Sequence, residues 1–333
     1  RKQPYMQKWS FGVQQQLPQY FVVEASYVGS RGTRLLVDRS LNFTPAQYLS
    51  TLSVRDQQTI NFLTATFPNP FLGIKPIYGT TISRAGLLNA YPHFSGVTLV
   101  GEPIGYSWYH SLQIRAERRF SKGYTFTLAY TWSKNMAATA FLNPSDPVLE
   151  EAISDLDRAH RLVMSGVWEL PFGRGRRLGR DWHPVINFLA GGWQLSGFVQ
   201  RQSGPPLGFG NIIFNGNPDD IRLPKSKRSV DRWLNIDAGF NRNSAQQLAN
   251  NIRTFPSRFS GLRGDGQARW DFTIIKDFKA HERVTVRFRV ETFNAWNHPN
   301  LGTPNTTPTS TAFGTITSQN PPRSWQTALM LMF

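Results

Sequence analysis

The chain has 333 residues, no cysteine, and 37 Lys+Arg against 21 Asp+Glu, for a formal charge of +16. The missing cysteines exclude disulfides, thiol chemistry and cysteine metal sites, and no stretch approaches the roughly 18 apolar residues of a membrane helix. Aromatics reach 13% in a chain that is 40% hydrophobic, a mixture suited to amphipathic strands rather than to a thick apolar core.

Two-residue alternation predicts nine strands, over residues 5–15, 20–30, 108–120, 123–133, 161–170, 192–203, 268–278, 283–294 and 324–333. Leu112, Ile114 and Ala116 oppose Gln113, Arg115, Glu117 and Arg119. Tyr124, Phe126, Leu128, Tyr130 and Trp132 then oppose Thr125, Thr127, Thr131 and Ser133. Trp270, Phe272 and Ile274 oppose Arg269, Asp271 and Thr273. The pattern is sharpest at 283–291, where Val284, Val286, Phe288 and Val290 share one face and Arg283, Thr285, Arg287, Arg289 and Glu291 the other. Trp325, Leu329, Leu331 and the terminal Phe333 close the series, with Thr327 interrupting. One apolar and one charged face fits a half-buried sheet or a barrel wall between lipid and water.

The connections favour the barrel. Residues 16–19, 121–122 and 279–282 are tight turns and 171–191 is a middling one, while 31–107, 134–160, 204–267 and 295–323 are long, polar and loop-like. Short and long connections alternate, as in an outer-membrane barrel with short periplasmic turns and long external loops. Most strands run about ten residues, enough for a tilted strand to cross a bilayer. Nine is an odd count where bacterial barrels close with an even one. The opening Arg1-Lys2-Gln3-Pro4 carries no initiator Met and no apolar signal segment, so the expectation is an internal start with a missing N-terminal portion.

Chemical motifs are weak. Asp155, Asp157 and His160 follow Glu150 and Glu151, but the spacing does not match a calcium loop, and a solvated acidic loop is expected. Residues 172–177 form a basic turn flanked by Trp168 and Leu170 at a strand end. Arg263-Gly264-Asp265 sits in a glycine-rich loop, where flexible backbone suffices to explain it. Six histidines are scattered, without a His-x-x-x-His pair, and no nucleophile triad, phosphate loop or catalytic carboxylate pair is present. The expectation is therefore a non-enzyme without a cofactor or metal. The arginines alternate along strands instead of forming a run, so no nucleic-acid partner is assigned. The polar-face charges Arg115, Glu117, Arg119, Arg287, Arg289 and Glu291 are the candidate solute contacts, with mutual pairing as the alternative.

A serial set of motifs carries a family resemblance. Residues 157–163 (DRAHRLV) lead into 165–175 (SGVWELPFGRG), followed by 191–197 (GGWQLSG), Gln202-Ser203-Gly204, 293–300 (FNAWNHPN) and the final Phe333, with 27–33 (YVGSRGT) earlier. Together and in this order they resemble the C-terminal barrel portion of Oar-like TonB-dependent outer-membrane receptors, which carry an N-terminal carboxypeptidase-regulatory-like domain. The resemblance implies an all-β, antiparallel transmembrane barrel of about 22 strands around a plug. It also implies uptake of a large solute, an oligosaccharide or a chelate, with energy delivered through the TonB complex. The plug and the TonB box would lie upstream of Arg1. Phe333 resembles the signal read by the barrel-assembly machinery, and outer-membrane lipid becomes the partner of the apolar face. The rival expectations are a passive porin or surface adhesin, and a soluble basic β-sandwich binding glycan or nucleic acid.

Overall fold

The computed structural model describes residues 2–74, 79–281 and 284–333. All nine predicted strands form, and each hydrogen-bonds to its neighbours in chain order, all antiparallel. They are β1 (Tyr5–Leu17), β2 (Phe21–Ser40), β3 (Thr98–Ser121), β4 (Tyr124–Ala138), β5 (His160–Glu169), β6 (Trp193–Gln202), β7 (Gln267–His281), β8 (Val284–Phe293) and β9 (Ser324–Met332). Arg283 and Glu282, assigned above to the eighth strand and to the turn before it, lie outside the described residues.

Directly paired residues share a face of a sheet, so the register shows whether the alternations align from strand to strand. They do. One row runs Val13, Ala25, Ile114, Tyr130, Leu162. The next runs Val23, Ala116, Leu128, Met164, Val199, Trp270. A third continues from Trp168 through Leu195, Ile274 and Val290. The wall thus has one continuous apolar face, and many of its largest side chains are exposed. Aromatics flank it at both ends: Phe11, Tyr27 and Trp132 towards the long connections, and Tyr124, Trp168 and Trp193 towards the short ones.

The turn after β3 is two residues long, and both Lys122 (φ 52°) and Gly123 (φ 85°) have positive φ. Such turns match the right-handed twist of the flanking strands. All connections at that end are short except 170–192, which holds the helix α3 (Pro184–Ala190), whereas α1 (Gln57–Thr64) and α2 (Arg84–Leu88) lie in the long connection after β2.

The opposite end departs from expectation. β2 and β3 run about ten residues beyond their predicted ends, pairing up to Ser40 with Thr98 through three register shifts, one at Arg34 with φ 58°. Bulges of this kind interrupt the alternation that marks a strand in sequence. The long connections, expected as polar loops, contain the main buried core. Leu207, Phe209, Ile221, Leu234, Phe313 and Ile316 pack together with Trp233 and Phe240. Phe240 lies 5.0 Å from Phe209 and 4.9 Å from Phe313 between ring centroids. These apolar residues are spaced without helical or strand period, so periodicity could not reveal them.

The loops are also tied to one another. Ser50 pairs with Asn251, and Asn143 exchanges hydrogen bonds with the Arg253 backbone at 2.8 and 3.0 Å. The Ser257 amide donates to the Glu150 carboxylate at 2.8 Å. Asp157, expected in a solvated loop, is instead fully buried and ion-paired with Arg263 at 2.6 Å. A buried carboxylate persists only with such a partner. The same pair occupies the arginine of the Arg263-Gly264-Asp265 tripeptide.

Candidate functional site

The polar face carries the predicted site residues. Arg115 bonds Glu117 along β3 at 2.8 Å, and Arg289 makes a short contact with Glu291 along β8. Arg287 reaches across to β7 and grips Asp277 through two bonds of 2.7 and 2.8 Å. Arg119 is exposed, with no ion pair among the described residues. Most pairs link neighbours two apart on one strand. The Nε of Arg289 is buried and has no hydrogen-bond partner among the described residues. Exposed pairs of this kind contribute at most about 1 kcal/mol each. Their effect is to fix the direction of the guanidinium groups rather than to hold the sheet.

Two cations on the other face escaped sequence reading. Arg118 pairs with Phe21 and Phe126, in the apolar rows, and is 2% exposed. It donates to the carbonyls of Gln19, Ser121 and Tyr124, and its guanidinium lies 3.5 Å from the centroid of the Tyr124 ring. Lys276 pairs with Trp193 and Phe288 and is 3% exposed. Its Nζ donates to Leu189 O at 3.2 Å and, in a short contact, to Gly191 O, beside the Trp193 and Phe278 rings. Carbonyl oxygens and ring faces replace the water that a buried cation loses. The available signal was a positive residue standing in an apolar position of the alternation.

At the long-loop end a cavity of about 910 Å³ opens between the ends of β4–β7 and the loop core. Arg201, Arg222, Lys225, Arg228 and Arg263 line it, with Asp265 the acid among them. Its lining from the strand ends draws on both faces, with Tyr130, Leu162, Arg201 and Ala268 from one apolar row and Gln202 and Gln267 from the polar side. Arg263 is committed to Asp157, and Arg228 donates to Leu223 O at 2.8 Å beneath Trp233. Burial, then the neighbouring charge of Arg222, holds the Arg228 guanidinium below its ordinary pKa, with Asp265 opposing. Burial pushes the Asp265 carboxyl up, against hydrogen bonds from the Leu301 and Gly266 backbone. An excess of cations crowded together in a concave site is a field that attracts phosphate, sulfate or carboxylate groups. Neither motif nor spacing announced it, because the loop core alone brings Arg201 and residues 222–228 together. Among the described residues no group of His, Asp and Glu could hold a metal.

The exposure of a continuous apolar wall needs a solvent other than water. A family model described as an outer membrane beta barrel domain matches residues 1–326. The chain belongs to that family. The apolar rows of this outer membrane beta barrel chain are therefore its lipid-facing side, the polar rows face away from lipid, and the protein resides in the bacterial outer membrane. The short connections lie on the periplasmic side and the loop core outside. No curated protein matches. Among solved structures, the outer membrane transporter YddB from Escherichia coli matches over 99% of this chain, with 10% identity and a TM-score of 0.49. The chain covers 33% of that transporter's length.

Proposed function

We propose that this chain forms the C-terminal part of a plugged barrel that imports a large anionic or oxygen-rich solute, with energy delivered through TonB and no catalytic chemistry of its own. The observation that carries the reading is the segregation of two faces along the wall, with lipid-facing rows on one side and, on β3, β7 and β8, arginine–carboxylate pairs on the other. Among the described residues β1 and β9 each pair along one edge only. A bilayer tolerates no open edge, so further strands close the wall, up to the roughly 22 of plugged transporters. In that barrel Arg115, Arg119, Arg287 and Arg289 line the path, with Glu117 and Glu291 aiming their partners. The cationic cavity gathers anionic groups at the outer rim. Phe333, 94% exposed, is offered to the barrel-assembly machinery.

The test is uptake by cells expressing the complete gene. Arg115, Arg119, Arg287 and Arg289 are replaced by Gln together, with and without TonB. Uptake that requires TonB and falls in the variant supports the proposal. TonB-independent uptake would leave a passive porin in its place.

A further inference from the structure

Among the described residues the connection 170–192 is the one long excursion on the periplasmic side, and it is built against the lipid-facing wall. α3 is fastened there at three points. The Phe188 ring packs 4.9 Å from Phe278, whose row continues to Val286 and Leu331. Lys276 donates to carbonyls at the C-terminal end of α3, and Trp193 Nε1 donates to Leu189 O at 3.0 Å. A cation at that end also complements the helix dipole. Yet these contacts leave most of the apolar surface of the helix uncovered. Val185, Ile186, Phe188 and Leu189 are 51–62% exposed, four large apolar side chains on seven residues.

The loop before α3 is basic. Arg174, Arg176, Arg177 and Arg180 are all exposed, and Arg176 alone has a carboxylate partner among the described residues, Glu169 at 2.8 Å. Arg174 is pinned by its Nε to Trp182 O at 2.9 Å, and Trp182 stacks on Phe172 at 6.5 Å. An apolar patch continuous with a lipid-facing wall, bordered by aromatics and unpaired arginines, is the pattern of an element lying in a membrane interface.

We propose that α3 and the arginine loop form an anchor in the periplasmic leaflet. The side chains of Val185, Ile186, Phe188 and Leu189 enter the acyl region, while Arg174, Arg177 and Arg180 bind the phosphates of anionic phospholipids. Anionic headgroups attract such clusters within a Debye length of the surface. The anchor depends on the lipid-facing side of the wall and not on what the barrel transports. Lys276 is then the latch that joins anchor to wall without exposing a charge to lipid.

The native chain has no cysteine, so Ile186→Cys in the complete barrel takes one nitroxide label. Leu128→Cys in the wall and Leu156→Cys in an external loop serve as controls. In vesicles of phosphatidylcholine with phosphatidylglycerol, the label at 186 is expected to favour oxygen over a water-soluble nickel chelate, as at 128. Accessibility to nickel like that at 156 overturns the anchor. Selectivity for spin-labelled phosphatidylglycerol over phosphatidylcholine is then compared between the native barrel and R174Q/R177Q/R180Q, each checked for heat-modifiable migration. The expected result is a loss of selectivity on the order of tenfold, and equal selectivity overturns the phosphate contacts. Arg177→Gln alone, with a smaller loss in the same direction, covers a triple variant that fails to fold. If inorganic phosphate abolishes the difference, the arginines form a free-anion site and the lipid assignment is wrong.

Discussion

Leu329 and Phe313 are both large apolar residues near the C-terminus, one 71% and the other 2% exposed. Leu329 belongs to the wall, where apolar side chains point outwards and polar ones share the opposite face. Phe313 belongs to the loop core, where the apolar side chains are gathered inside and water lies around them. The difference is one of solvent. In the bilayer, burial from water is accomplished by lipid, so the wall needs only a correct alternation and a satisfied backbone. Outside the bilayer the loops must make their own interior, and they do so from residues far apart in sequence.

The comparison breaks most severely where a buried ring is removed. Phe313→Ala is expected to destabilise the loop core by about 3–5 kcal/mol, seen as faster amide exchange at 207–240. Heat-modifiable migration of the wall should be unchanged. Joint collapse of wall and loops would show that the two regions form one cooperative unit. The converse substitution places a charge in lipid. Leu128 sits midway along β4 between Tyr124 and Trp132, where an arginine costs about 2–4 kcal/mol. Denaturant titration in vesicles should show this loss for Leu128→Arg and little for Thr127→Arg on the other face. Similar losses for both would put the lipid boundary in the wrong place. On the polar face, Arg287→Gln removes the two-bond contact with Asp277, which is half-exposed. The expected change in wall stability is under about 1 kcal/mol, so an effect on uptake from this variant reads the solute path and not the fold.

The sequence revealed the wall because a period of two is a local property. All nine strands, the faces of Leu112–Ala116 and Val284–Val290, and the asymmetry of the connections followed from spacing alone. The loop core was invisible for the opposite reason: Ile221, Leu234 and Phe313 meet only through tertiary folding. The extensions of β2 and β3 were hidden by bulges that reset the alternation. Arg118 and Lys276 were visible as residues but not as buried ones. Their burial depends on the turn carbonyls of Gln19 and Ser121 and on the C-terminal end of α3. Of the predicted site, the positions on the polar face were legible. The pairings were not, since Arg115 and Arg289 bond along their own strands while Arg287 bonds across. The cationic cavity needed the loop core first.

The smallest effect tests how far the loop end behaves as a water-excluded interior. Burial raises the Asp265 carboxyl above its ordinary value of 3.8. An acid whose folded pKa is raised favours the native state when protonated. That contribution is complete below 3.8 and is lost as pH rises through the raised value. Once ionised above the raised value, the half-buried carboxylate opposes loop stability, with His298 and Arg228 offsetting part of the cost. Asp265→Asn keeps an oxygen for the Leu301 and Gly266 amides but cannot ionise. Relative to the native chain, its loop core should gain stability at pH 7 and show no gain below pH 3.8, measured by amide exchange at Phe259–Arg263. The same variant removes a negative charge from the cavity, so sulfate or phosphate should bind more tightly at pH 7. A gain in anion binding without a gain in stability would mean that Asp265 is already neutralised by its cationic neighbours, and that the cavity is wetter than the core beside it.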